Sequence, residues 1–253
     1  MRALTFLLAA ALFACTTQEP VEQPTSPCVS QRFEGSGFTV CSEKGGSVEV
    51  RSGHRSFAQL QSSLGDRSER VAFAMNAGMF DDQGAPIGLL IEDGRQVHAI
   101  NRRDGGGNFH LKPNGVMLIG RNGRVAVVES DRFKASPDVA YATQSGPMLV
   151  IDGKLHPKFD ADGTSRYVRN GVGVRSDGTA LFVISDEVVS LGKFARFFRD
   201  ALKTPNALYL DGSVSSLWDP ENGRMDSFTE IGPMVVVFKA SVSAPGHASP
   251  AKP

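Results

Sequence analysis

The sequence predicts an α+β fold: a single domain whose mixed or antiparallel, hairpin-rich sheet is covered by a few helices. Three observations carry this expectation. Four Asp-Gly or Asn-Gly pairs stand between apolar runs, at Asp93-Gly94, Asn122-Gly123, Asp152-Gly153 and Asp177-Gly178, and such pairs accept the positive φ angles of two-residue hairpin turns. Two stretches show helical periodicity behind a serine able to cap them. Glycine supplies 27 of 253 residues, about 11% against a usual value of roughly 7%, as a chain of many tight turns requires. Four hairpins favour antiparallel pairing, because parallel neighbours need long crossovers. No fixed repeat period suggests a propeller.

Taken in order, the chain opens with Arg2 ahead of an apolar run from Ala3 to Ala14, too short to span a bilayer but suited to a signal-peptide core, so residues 1–14 are set apart from the fold. The run ends in Leu12-Phe13-Ala14-Cys15, which resembles a bacterial lipobox. On that reading Cys15 becomes the lipid-bearing first residue of an envelope protein, anchored by its lipid and facing the periplasm; ordinary secretion with loss of Cys15 is the alternative. Residues 15–27 form a polar tether. Cys28 and Cys41 are then the two cysteines left in an exported chain, where a disulfide persists. Closing that loop contributes on the order of 3 kcal/mol in the chain-entropy model.

The folded unit is expected over residues 28–240. Ser56 caps the helix pattern FAQLQSSLG, and Ser190 caps LGKFARFFRDAL, where Leu191, Phe194, Ala195, Phe198 and Leu202 share one face and Lys193, Arg196 and Arg199 look to solvent. Residues 241–253 are small, polar and proline-dotted, a disordered tail.

Composition restricts the partners. Lys plus Arg and Asp plus Glu number 27 each, so a basic nucleic-acid surface is not expected. The five histidines have no paired zinc spacing, and Asp160 to Ser165 lacks the full calcium loop. No metal or cofactor is called for. Ser145 and Ser215 stand outside a G-x-S-x-G setting, which weakens a serine hydrolase reading.

Candidate site residues lie where polar groups and glycine directly follow apolar strands, since loops held by a rigid sheet concentrate binding groups. These are Asn76 and Gly78 in VAFAMNAGMF, Gln144 and Ser145 in YATQSGPMLV, and Asp211, Gly212 and Ser215 in ALYLDGSVSS. A fourth segment places Arg169 and Asn170 before one strand and Asp186 after its hairpin partner, so pairing brings Arg169 and Asp186 to the same end of the sheet. The duller readings stay open: a turn asparagine, a structural Arg169–Asp186 ion pair, and one more hairpin turn at Asp211-Gly212.

The order of NAGMF, PNGVM, QSGPMLVIDGK, RNGVGV, the Ser190 helix and NALYLDG resembles the phosphodiester glycosidase family, over about Val71 to Phe238. The resemblance implies hydrolysis of the glycosidic bond of a sugar-1-phosphodiester, with a carbohydrate phosphodiester as partner. It places the family's Asn-Ala-Gly on Asn76, Ala77 and Gly78, its arginine on Arg169, and its aspartates on Asp186 and Asp211. Ser213 and Val214 replace two glycines of the family's Asp-Gly-Gly-Gly-Ser stretch. Cleavage at an anomeric carbon develops oxocarbenium-like charge that carboxylates stabilise, and it expels a phosphate that a guanidinium can clamp. Asp211, Asp186 and Arg169 are the groups the resemblance offers for those roles. Retaining and inverting schemes both stay open. The alternative from another class is an envelope lipoprotein of the same fold that binds glycans without cleaving them.

Overall fold

The computed structural model describes residues 26–42 and 45–240. The expected signal peptide, Cys15, nearly all of the tether and the C-terminal tail lie outside the described residues. In chain order the elements are β1 (Cys28–Phe33), β2 (Ser36–Cys41), β3 (Ser47–Arg51), α1 (Phe57–Leu64), β4 (Val71–Asn76), β5 (Leu90–Glu92), β6 (Arg95–His98), β7 (Gly115–Gly120) and β8 (Val125–Glu129). There follow β9 (Val139–Ser145), β10 (Met148–Ile151), β11 (Lys154–Leu155), β12 (Asn170–Val174), β13 (Ala180–Ser185), α2 (Leu191–Arg196), β14 (Asn206–Asp211), β15 (Leu217–Asp219), β16 (Arg224–Met225) and β17 (Met234–Phe238).

The strands form three sheets, ordered β1-β2-β13-β12-β14-β10-β11, β16-β15-β4-β17-β3 and β6-β5-β9-β7-β8. Every pairing between these strands is antiparallel. The molecule is thus more β than the α+β expectation; of the mixed or antiparallel pairing expected it shows the antiparallel one, with the described strands divided among three sheets. The two α-helices are only 8 and 6 residues long. One apolar cluster joins all three sheets, with Phe182 and Leu208 from the first, Phe73 and Val235 from the second, and Leu90 and Met117 from the third.

Each of the four Asp-Gly or Asn-Gly pairs joins two neighbouring strands, at β5-β6, β7-β8, β10-β11 and β12-β13. At Asp93-Gly94 and Asp152-Gly153 both residues have positive φ, at 49° and 74° and at 47° and 80°, the backbone whose twist matches paired strands. A fifth hairpin, β1-β2, turns at Glu34-Gly35 with φ of 45° and 79°. Cys28 stands directly opposite Cys41 in this ladder, and the two are joined by a disulfide with Cα atoms 3.9 Å apart. The crosslink therefore staples a hairpin whose second strand is already bonded to β13.

Ser56 and Ser190 cap their helices, accepting from the N–H groups of Gln59 and Lys193. Helix α1 buries Phe57 and Leu60 against Trp218 and Val236 of the second sheet. Helix α2 continues as a π-helical turn, Phe197–Ala201, and lays Phe194, Phe197 and Phe198 over Phe38 and Tyr209 of the first. The extra residue of the wide turn brings Phe197 inward beside the expected stripe. The cations of α2 do more than face solvent: Lys193 donates to Glu34 O and Ser36 Oγ, and Arg196 grips the Glu34 carboxylate. They pin the β1-β2 hairpin.

Candidate active site

Antiparallel register sets the site. Asn170 opens β12 opposite Asp211, which closes β14, so the two meet at one end of the first sheet. The last residue of β4, Asn76, arrives from the second sheet, and Ser145 ends β9 of the third. Their side chains interlock. The Asn170 amide donates to Asn76 O (2.7 Å) and Asn76 Oδ1 (3.0 Å), while its own Oδ1 accepts from the Asp211 N–H at 2.9 Å. Asn76 Oδ1 also accepts from Ser216 N–H at 2.8 Å. Ser215 Oγ lies 2.9 Å from Asp211 O and 3.0 Å from Val168 O, either of which can accept its proton. Ser145 donates to Leu210 O at 2.6 Å, and the Gly78 N–H donates to Thr143 Oγ1 at 3.1 Å. Neutral amides and hydroxyls therefore satisfy the buried backbone where the sheets meet, as buried polar groups require.

Asp211 is 6% exposed. Its Oδ1 accepts from the N–H groups of Gly212 (2.6 Å) and Ser213 (2.9 Å). Burial pushes its carboxyl above the usual aspartate range, and the backbone N–H groups of Ser213, Gly212 and Val214 oppose that shift without cancelling it. The carboxylate stands in the wall of a cleft of about 660 Å³ lined also by Arg55, Phe80, Asp82, Asn108 and Glu230. A second cleft of about 580 Å³ adjoins it through Asp81 and Ile87 and is bounded by His98, Arg102, Arg103 and His110.

Arg169 lies beneath this site rather than in the cleft. It is fully buried, and its guanidinium is occupied inside the protein: Nε donates to Val189 O at 2.8 Å, Nη1 to Tyr209 Oη at 2.8 Å and Nη2 to Ser165 O at 2.9 Å. The rings of Tyr167 and Tyr209 flank it at 5.5 Å and 5.3 Å. Burial holds the Tyr209 phenol protonated by raising its pKa, against the lowering effect of Arg169. Gly212 passes directly over this pair: a Cβ there would collide with Tyr209 Oη. The Arg169–Tyr209 unit thus fixes the height of the loop that carries Asp211.

The structure brings Asn76, Gly78, Ser145, Asn170, Asp211, Gly212 and Ser215 together. Gln144 turns away, bonding the backbone of Leu89 and Asn101 and the hydroxyl of Ser130. Asp186 is not brought to the cluster. Ser185 faces inward to accept from Arg169 N–H, while Asp186 is exposed and its Oδ1 accepts from Thr39 Oγ1 on β2 at 2.8 Å. The main chains of Arg169 and Asp186 do lie at one sheet end, but their side chains part. The carboxylates sharing the cleft with Asp211 are Asp81, Asp82 and Glu230. Sequence reasoning missed these, together with Arg55, Tyr209 and Ser216. The Asp-Asp-Gln-Gly turn at Asp81 was the one local signal, placed just after the Asn-Ala-Gly motif.

Known proteins resemble the chain in sequence and in fold. The chain is 38% identical over 149 residues to the uncharacterized protein YigE of Escherichia coli (strain K12), a match covering 59% of this chain and 58% of that protein. The match therefore spans a little over half of that relative's length. The fold is similar to the zebrafish N-acetylglucosamine-1-phosphodiester alpha-N-acetylglucosaminidase catalytic domain, auto-inhibited by its pro-peptide, with a TM-score of 0.58, 17% identity and coverage of 84% and 81% of the two chains. It is also similar to a Burkholderia pseudomallei protein described as exported, with a TM-score of 0.53, 13% identity and coverage of 80% and 73%. A family model described as phosphodiester glycosidase matches residues 69–238, a span that runs from just before β4 to the last residue of β17 and so takes in Asn76, Asn170 and Asp211, and the chain belongs to that family.

Proposed function

We propose that the protein hydrolyses the glycosidic bond of a sugar-1-phosphodiester, with Asp211 as the carboxylate beside the anomeric carbon. One observation carries the reading: the single acidic side chain of the interlocked strand ends is buried, held by backbone N–H groups and presented to a cleft of about 660 Å³. Low dielectric around such a group strengthens its interaction with positive charge developing at the sugar ring. In the reaction the bond from the anomeric carbon to the phosphate oxygen breaks, and the phosphate keeps the electron pair. Water supplies the oxygen of the new C–O bond; one of its protons stays on that oxygen as the anomeric hydroxyl, and the other passes by way of a carboxylate to the released phosphomonoester. A phosphate whose second pKa is about 6 leaves without strong general-acid help. Direct attack by Asp211 and activation of water by Asp211 differ in the anomer first released, which proton NMR of the fresh product reads.

The reading also places the enzyme outside the cytoplasm, tethered through lipidated Cys15, because the apolar run stops at Ala14 and a polar stretch follows at once. Mass spectrometry of the mature protein is expected to find acylated Cys15 as its first residue. A mature chain beginning further on, without acyl mass, removes the anchor. Purified protein is expected to release reducing sugar from members of a sugar-phosphodiester panel. Saturable binding of the same compounds without any release would make it a glycan-binding member of the family.

A further inference from the structure

We infer that Arg55 is the anion-binding residue of this cleft, and that it takes the phosphate of the substrate in exchange for the carboxylate of Glu230. The inference rests on the sugar-phosphodiester reading above and concerns the half of the substrate that Asp211 does not touch. Among the described residues lining the cleft, Asp81, Asp82, Asp211 and Glu230 are acidic and Arg55 alone is a cation. An anion entering there meets repulsion everywhere except at this guanidinium. Arg169, whose donors are spent on Val189, Ser165 and Tyr209, has nothing left to offer it.

The local structure holds Arg55 in place for such a contact. Its backbone is fixed at both ends, the N–H donating to Gln59 Oε1 (2.7 Å) at the start of α1 and the carbonyl accepting from Ile231 N–H (3.0 Å). Its guanidinium lies over the Phe80 ring at 5.4 Å, a contact that orients its plane. Gly84, at φ 83°, closes the turn above it, where a Cβ would collide with Nη1. Nη1 is buried and has no hydrogen-bond partner, so the guanidinium is one acceptor short. Nη2 binds Glu230 Oε2 at 2.7 Å, but the Glu230 side chain is 73% exposed, and so exposed a pair holds its partner weakly. A phosphate presents several acceptor oxygens where Glu230 now offers one, and a small rotation of the guanidinium would let both terminal nitrogens be satisfied. Arg55 itself lies outside the family-matched residues 69–238, while Phe80, Gly84 and Glu230, which surround it, lie within them.

The test is equilibrium binding of inorganic phosphate, by calorimetry, to the full-length wild type and to Arg55→Gln, Arg55→Lys and Glu230→Gln. Arg55→Gln is expected to weaken phosphate by about 10- to 100-fold, the usual worth of a charge-assisted hydrogen bond. Arg55→Lys should recover part of that loss, and Glu230→Gln should tighten binding because the competing carboxylate is gone. Asp82→Asn is the control, because it removes a carboxylate of the same cleft without freeing Arg55: a merely structural role for Arg55 predicts equal tightening in Asp82→Asn and Glu230→Gln, whereas the exchange predicts clearly more in Glu230→Gln. The inference is overturned if wild type binds no phosphate, if Arg55→Gln melts like wild type and binds phosphate equally well, or if Glu230→Gln fails to bind more tightly. Should Arg55→Gln fail to fold, Glu230→Gln set against Asp82→Asn decides, and equal tightening in the two overturns the inference. Failure of the glycosidase reading is separate, since phosphate binding that follows this order in a protein that releases no sugar would preserve the anion site and remove the reaction.

Discussion

Asp211→Asn is expected to lower kcat by about 1,000-fold, within the range that a positioned carboxylate contributes, while the protein folds as well as wild type or better. Asparagine keeps the carbonyl oxygen that accepts from Gly212 and Ser213 and loses the charge. The sign of the stability effect follows from the raised pKa. Burial favours the protonated carboxyl, so the stability belonging to that form is fully present below the unfolded value of about 3.9 and is lost as pH rises through the higher folded value. The asparagine variant does not suffer that loss at neutral pH. The same shift sets the rate profile: if the ionised form does the work, the acidic limb of kcat/KM should lie above the ordinary aspartate range. Denaturant melts and pH–rate profiles of both proteins check this, and an Asp211→Asn protein that cleaves at the wild-type rate would displace Asp211 from the account.

The second large effect is expected at Arg169, and it should appear in stability first. The side chain is fully buried, makes no salt bridge among the described residues, and is compensated by two carbonyls, one phenol and two aromatic rings. Lysine cannot reach Val189 O, Ser165 O and Tyr209 Oη together, because its single ammonium replaces a planar fork. Arg169→Lys is therefore expected to cost about 3–5 kcal/mol, as when a compensated buried charge loses its partners. Loss of kcat should accompany it as Gly212 and Asp211 shift. Tyr209→Phe removes one of those partners from a buried guanidinium and should cost about 1.5–3 kcal/mol. Denaturant unfolding separates this from a substrate contact: an Arg169→Lys protein of wild-type stability, with only KM for phosphate-bearing substrates raised, would make Arg169 a ligand of the phosphate.

What could be read in advance divides by the range over which the physics acts. Hairpins at Asp93-Gly94 and Asp152-Gly153 were legible because positive φ is decided within two residues, and the one at Glu34-Gly35 was not, since glutamate is no turn signal. The Ser190 helix showed its buried stripe, but a π-helical turn has no mark in the periodicity, so Phe197 came as an addition. The three antiparallel sheets exceed the expectation because strands such as β15 and β16, of three and two residues, carry too little pattern to register. At the site, Asn76, Asn170, Asp211 and Ser215 were visible as polar groups ending apolar strands. Asp186 shares their sheet end, yet successive strand residues point to opposite faces, and it bonds Thr39 instead. Arg55 and Glu230 are 175 residues apart, and no local rule links them.

The measurement that bears most directly on the central claim is release of reducing sugar from a panel of sugar-1-phosphodiesters by the purified wild type and Asp211→Asn proteins. The account predicts saturable release by wild type from at least one compound and about a thousandth of that rate from Asp211→Asn. Tight binding with no release by wild type, or equal release by both proteins, would contradict it.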